Sequence, residues 1–124
     1  NLEDKITFKS GISENAIVDI YQHSDIAVIP SLYEGFGFGA GEAMACGIPL
    51  ISTDSGGLKQ VIGDSALKIK SGSVKEIEES IIKLFNEEEI RKELGRKGRE
   101  RMEEHFDWEI SAKAYIDLFD GLIK

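Results

Sequence analysis

The sequence has one cysteine, Cys46, two prolines, two histidines and few positive charges. A lone cysteine forbids an internal disulfide, and a reducing cytoplasm is the simplest setting for it. No segment approaches the ~20 consecutive apolar residues of a membrane helix, and the start lacks the basic-then-apolar plan of a signal peptide. Fifteen Lys and Arg stand against 23 Asp and Glu, for a formal net charge of -8. Phosphate neutralisation and adhesion to anionic lipid both need a basic face, so neither nucleic acid nor a membrane surface is expected as partner of this segment. An anionic small molecule stays open, because backbone amides bind phosphate without a basic side chain.

What is present reads as one α/β domain. The 124 residues, 41% of them hydrophobic, suffice to bury a core. The chain starts at Asn1 without Met and reaches a β-rich run at residues 6–8, so it reads as a piece of something longer. Ser13 caps a helix through about Ser24, with Ile17, Ile20 and Tyr21 on one apolar face. Asp25-Ile-Ala-Val-Ile-Pro30 is a continuous apolar run, the pattern of a strand buried on both faces of a parallel sheet. Ile48-Pro-Leu-Ile-Ser-Thr53 is another, with Pro49 at its start, and residues 66–69 form a weaker one. Between and after them the pattern predicts helices over residues 39–46, 58–62, 74–85, 87–104 and 108–122. Ser73-Val-Lys-Glu76 has the form of a capping box, Asn86-Glu-Glu-Glu89 that of a second cap, and Asp107 caps the last helix. In that helix Ile110, Ala114, Leu118 and Leu122 recur at steps of four, with Tyr115 and Phe119 alongside. Strands alternating with amphipathic helices predict a parallel sheet whose loops line one ligand-binding rim.

One stretch on that rim reads as a site: Ser31-Leu-Tyr-Glu-Gly-Phe-Gly-Phe-Gly-Ala-Gly-Glu42. A strand, a glycine-rich turn and a helix start together make an anion site, with the N–H groups of Phe38, Gly39, Ala40 and Gly41 expected to point outward. It is neither a Walker loop nor the Gly-x-Gly-x-x-Gly dinucleotide fingerprint. Two acids, Glu34 and Glu42, fit beside a bound anion if they accept hydroxyls from vicinal diols. An anion, diols and a flat apolar partner such as Phe36 or Tyr33 suggest a nucleotide sugar. Plainer roles stand beside these. Glu34 and Glu42 read singly are solvated acids, Phe38 and Trp108 are core anchors, and Cys46 is packing. His23 and His105 are surface or cap residues, Gly56-Gly57 is a turn, and residues 87–104 are a solvated helix laced with i,i+4 pairs.

The run Glu34-Gly-Phe-Gly-Phe-Gly-Ala-Gly-Glu42 resembles the Glu-x7-Glu motif of retaining GT-B glycosyltransferases, most closely glycosyltransferase family 4. The likeness extends over essentially the whole chain, through Tyr21-Gln-His-Ser-Asp-Ile-Ala-Val-Ile-Pro-Ser31, Glu42-Ala-Met-Ala-Cys-Gly-Ile-Pro49, Thr53-Asp-Ser-Gly-Gly57 and Glu104-His-Phe-Asp-Trp108. The resemblance implies a partial Rossmann-like GT-B C-terminal domain, with a parallel sheet of about four strands and flanking helices. It implies a nucleotide diphosphate-sugar donor, a hydroxyl acceptor, and no metal or other cofactor, which suits a chain with no ligand cluster. In the site it implies, Glu34 lies beside the transferred sugar in the catalytic role. Backbone from Gly35 through Phe36 and Gly37 to Phe38 touches the sugar hydroxyls, amides at Gly39 and Ala40 hold the diphosphate, and Glu42 binds the ribose diol.

Two departures follow. Gly39, Ala40 and Gly41 stand where the family has larger residues, which should loosen the helix start by up to ~1 kcal/mol per glycine. The family's Arg and Lys on the diphosphate, its acceptor domain and the first strands of this domain would lie upstream of Asn1. Residues 1–124 are therefore expected to be a single partial nucleotide-sugar-binding domain, inactive in isolation. The strand at 25–30 is left with an open apolar edge, and residues 6–8 are expected to move in beside it, or two copies to pair across it in a homo-oligomer. The rival readings are a non-catalytic nucleotide-binding or self-assembling module, and part of a GT-B sugar-nucleotide epimerase or phosphorylase.

Overall fold

A computed structural model describes residues 1–123. After a single 3-10 turn at Glu3–Lys5, α1 (Glu14–Gln22) begins where the Ser13 hydroxyl accepts the Ala16 N–H. There follow β1 (Ala27–Ile29), α2 (Phe38–Ala45), β2 (Leu50–Ser52), α3 (Leu58–Ile62), β3 (Leu67–Lys68), α4 (Val74–Asn86), α5 (Glu88–His105) and α6 (Trp108–Leu122). The three strands form one parallel sheet in the order β1-β2-β3. Val28 lies opposite Ile51, and Ile51 opposite Leu67. The architecture is the α/β class that the alternating pattern predicts.

The core has two parts, one on each face of the sheet. On one face Ala40, Ala43 and Met44 of α2 pack with Leu50, Leu58, Val61 and Ile62, all fully or almost fully buried. On the other, Ile51 and Ile69 pack against Leu84 of α4. Burying a side chain of this size removes apolar surface worth ~1.5–3 kcal/mol. α2 and α5 approach closely because Gly95 lies over the turn after α2, where a Cβ would stand 2.2 Å from the Gly47 carbonyl oxygen. Two arginines of α5 then close helix ends. Arg99 donates to the Ala45 carbonyl at 2.8 Å, and Arg101 to the carbonyls of Gln60 and Val61 at the end of α3. Cations at these C-termini also meet the negative ends of the helix dipoles.

Several expectations are corrected. Residues 6–8 form no strand; Phe8 is 93% exposed, so the sheet has three strands rather than about four. A three-residue run gains nothing from extended backbone without a neighbour to pair with. Among the described residues, β1 has β2 on one side and no strand on the other. Asn86 is no cap, because α4 runs through it and α5 starts after Glu87 with no side-chain bond. The capping box forms by half: the Ser73 hydroxyl accepts the Glu76 N–H, but the Glu76 carboxylate turns to the Lys70 N–H at 2.7 Å. Trp108 and Phe38 are not core anchors, being 88% and 73% exposed. The apolar side of α6 faces solvent, with no residue of that helix buried. The glycines do not stop α2 from starting at Phe38. No described helix is long and apolar enough to cross a membrane.

Candidate functional site

The chain leaves β1 at the rim where parallel strands end, and the next eight residues run to the start of α2. That segment is pinned from the neighbouring β2–α3 turn. Thr53, just past β2 and 1% exposed, donates its hydroxyl to the Ser31 carbonyl at 2.7 Å, and Ser55 donates to the same oxygen at 3.2 Å. Ser31 in turn donates its own hydroxyl to the Glu34 carboxylate at 3.4 Å. The Gly57 N–H donates to the Glu34 carbonyl at 2.8 Å. The two backbones touch here. A Cβ on Gly56 would stand 2.3 Å from the Glu34 carbonyl oxygen, and one on Gly57 2.1 Å from that of Gly35. Gly56-Gly57 is thus the bed on which the acidic loop lies, beyond its role as a turn.

Gly37 ends the loop as the N-cap of α2, with φ 101° in the left-handed region that a side chain resists. Its own Cβ would also strike Leu58 at 2.6 Å. The Gly41 N–H donates to the Gly37 carbonyl at 3.0 Å, so it is the first amide used inside the helix. Gly41 therefore does not offer an outward N–H. Among the described residues the amides of Phe38, Gly39 and Ala40 have no acceptor, with Phe38 exposed, Gly39 half-buried and Ala40 fully buried. From α1, the Tyr21 hydroxyl donates to the Gly39 carbonyl at 3.2 Å and fixes this first turn sideways. Burial, and then the charge of Glu42, raise the Tyr21 pKa above its ordinary 10.0. Burial foremost also raises the Cys46 thiol, with Glu42 adding and Arg99 opposing. Cys46 packs against the core, as its small-residue surroundings suggest.

The two acids flank that free helix start in the chain. Glu34 is half-buried in the pinned loop, and Glu42 is exposed one turn into α2. Glu42 borders a cavity of about 460 Å³ shared with Phe36, Phe38, Met102, Phe106 and Trp108. It also borders a groove of about 280 Å³ against Tyr21 and Ile17 of α1. Glu34 lines neither. Phe36 sits 4.9 Å from Phe38 and 6.2 Å from Phe106, centroid to centroid, and Arg101 stands 5.8 Å over the Phe106 ring. Such contacts tie the loop's aromatic side to the end of α5. Tyr33 is exposed. His23, just past the end of α1, and His105, the last residue of α5, are exposed, and neither lines the cavity or the groove beside Glu42. Among the described residues no group of three or more His, Cys, Asp or Glu could hold a metal ion.

Chemically, three unpartnered amides at the positive end of a helix dipole favour an anion. Carboxylates on either side accept hydroxyl donors, and neither forms an ion pair among the described residues. The contributions of Tyr21, Thr53 and Ser55 escape a reading of the motif by itself. The visible signal was Thr-Asp-Ser-Gly-Gly placed directly after a buried strand, hence on the same rim.

The sequence model of the family described as "Glycosyl transferases group 1" matches residues 1–101. The MMP alpha-(1->4)-mannosyltransferase of Mycolicibacterium hassiacum is 30% identical over 125 residues, covering 98% of this chain and 30% of that protein. The mannosylfructose-phosphate synthase of Agrobacterium fabrum is 34% identical, covering 97% of this chain and 27% of that protein. Among solved structures, a sucrose-phosphate synthase from Thermosynechococcus elongatus superposes with a TM-score of 0.88 at 31% identity, over 98% of this chain and 31% of that one. The C-terminal domain of a glycosyl transferase group 1 family protein from Francisella tularensis gives a TM-score of 0.72 at 27% identity, over 83% of this chain and 53% of that one. The chain spans about three tenths of the length of the curated relatives it matches.

Proposed function

The chain belongs to the glycosyl transferases group 1 family, with the fold of a GT-B C-terminal domain, and we propose that it binds the nucleotide diphosphate-sugar donor of a retaining, hexosyl-transferring enzyme. The observation that carries this reading is the free N-terminus of α2, with three unpartnered amides between two carboxylates. The amides of Gly39 and Ala40 take the diphosphate and stabilise its charge as it departs from the same face on which the acceptor hydroxyl attacks. Glu34, with the backbone from Gly35 to Phe38, positions the sugar. Glu42 accepts the ribose hydroxyls. With amides meeting the diphosphate charge, no metal or other cofactor enters the reading. Residues 1–124 act as one partial donor-binding domain in a cytoplasmic setting. The acceptor site and the basic side chains on the diphosphate lie outside them, so the chain binds donor without transferring sugar.

The test is a titration of isotope-labelled chain with UDP-glucose, GDP-mannose, UDP and GDP, followed through backbone amide shifts. Shifts concentrated at residues 35–41, with Glu42→Ala weakening all four ligands, support the assignment. No shift at millimolar ligand overturns it.

One observation favours a second reading, that of a self-assembling module. The outer edge of β1 is open among the described residues, and unpaired strand edges recruit strands. In that reading copies pair across β1, and the molar mass in solution doubles with concentration whether or not nucleotide is present. A monomer at all concentrations excludes it.

A further inference from the structure

Glu34 is held at two points, and both lead back to the turn after β2. Its carbonyl accepts the Gly57 N–H at 2.8 Å. Its carboxylate accepts the Ser31 hydroxyl at 3.4 Å, and the Ser31 carbonyl accepts both the Thr53 hydroxyl at 2.7 Å and the Ser55 hydroxyl at 3.2 Å. Thr53 is the fixed point of this arrangement. It is 1% exposed, and its N–H continues the sheet ladder to the Ile29 carbonyl at 3.3 Å. Ser52 donates its hydroxyl to the Thr53 carbonyl at 2.8 Å, which closes the last polar position of that residue. Ser55 lies 3.3 Å from the Thr53 hydroxyl, so either hydroxyl can donate to the other in place of its bond to Ser31. A loop of glycines has little side-chain packing with which to fix a carboxylate. The hydroxyls of the neighbouring turn replace that packing.

We infer that Thr53, assisted by Ser55, is a positioning residue for the sugar: its hydroxyl sets where the Ser31–Glu34 turn lies, and so where the Glu34 carboxylate meets the donor. The inference rests on the donor-binding reading above and deepens it. Thr53 touches no ligand in this account. Its effect should therefore be confined to the part of binding that depends on the sugar, leaving the diphosphate on the α2 amides untouched.

The variants that separate a positioning role from a structural one are Thr53→Val, which keeps shape and removes the hydroxyl, and Thr53→Ser, which keeps the hydroxyl and removes a methyl. Binding of UDP-glucose and GDP-mannose is compared with that of UDP and GDP, and exchange of the Gly57 amide is followed without ligand. For Thr53→Val we expect a roughly tenfold weaker sugar nucleotide, UDP and GDP within about twofold of the parent, and faster exchange at Gly57; such a factor corresponds to ~1.4 kcal/mol. Thr53→Ser restores all three values to within about twofold. Parallel weakening of nucleotide and sugar nucleotide, an impaired Thr53→Ser, or a neutral Thr53→Val overturns the inference while leaving the donor site standing. Failure of the parent chain to bind any of the four ligands overturns the donor site itself and the positioning role with it. Exchange at Gly57 then reports the loop anchor alone.

Discussion

Gly57 lies so close to Gly35 that a Cβ on Gly57 would come within 2.1 Å of the Gly35 carbonyl oxygen, whereas a Cβ on Gly35 would meet nothing within 4 Å. The two glycines thus serve different ends. Gly57 is small because the protein is in the way, and Gly35 faces open space.

Gly57→Ala should therefore cost stability, about 1–3 kcal/mol as overpacking typically does, and displace residues 34–36. Chemical denaturation with amide shifts across the loop measures both.

Gly35→Ala should leave the unfolding midpoint within the ±0.5 kcal/mol of an ordinary surface change. In the donor reading it still weakens nucleotide-sugar binding, because the added methyl holds a ligand off the backbone. A denaturation curve and a titration on the same variant separate the two effects.

Gly41→Ala should raise stability by about 0.5–1 kcal/mol. The position is helical, its N–H is already paired with Gly37, and a Cβ there meets Met102 and Val61 only at 3.7 and 3.8 Å. A rise in the thermal midpoint is the readout, and a fall would mean that α5 packs more tightly over α2 than these distances show.

Alkaline pH should loosen the fold through Tyr21 and Cys46. Both pKa values are raised in the folded chain, from ordinary values of 10.0 and 9.0, so the unfolded chain gives up these protons first. Their stabilising effect is complete below about pH 9 and is lost as pH rises through the folded values. Unfolding midpoints measured from pH 7 to 11 should fall at the upper end, and less steeply in Tyr21→Phe. Glu42→Gln should bring the Tyr21 titration down, yet leave it above 10.0, since burial is the larger cause.

The last helix should behave as an appendage. No residue of α6 is buried, and a helix of that length is marginal in water without packing. Its amides should exchange faster than those of α2 and α5, and a chain ending at Phe106 should keep the unfolding midpoint of the rest.

Local signals in the sequence were largely readable. Ser13, Ser73 and Asp107 each bond the backbone of the helix they begin. The two apolar runs became β1 and β2, and residues 58–62 became α3, because composition and spacing settle such elements locally. What failed depended on distant neighbours. Residues 6–8 have strand chemistry but no strand to join. Phe38 and Trp108 have core chemistry but no element over them. Asn86 is a good cap residue, yet α4 continues through it. Within the motif, the free amides at Phe38, Gly39 and Ala40 follow from counting along a helix. The bed beneath Glu34 does not, since Thr53 and Gly57 reach the loop only once β1 and β2 are paired. That pairing is a property of the sheet, which no window along the chain contains.

The pinning of the acidic loop by the turn after β2 has a practical consequence for recombining this domain with its relatives. A chimera whose breakpoint falls between residues 38 and 53 would inherit Glu34 from one parent and its hydroxyl anchors from the other. Breakpoints before Ser31 or after Leu58 keep the two strand exits together as one transplantable cassette. In the donor reading, libraries cut there should retain nucleotide-sugar binding far more often than libraries cut inside α2.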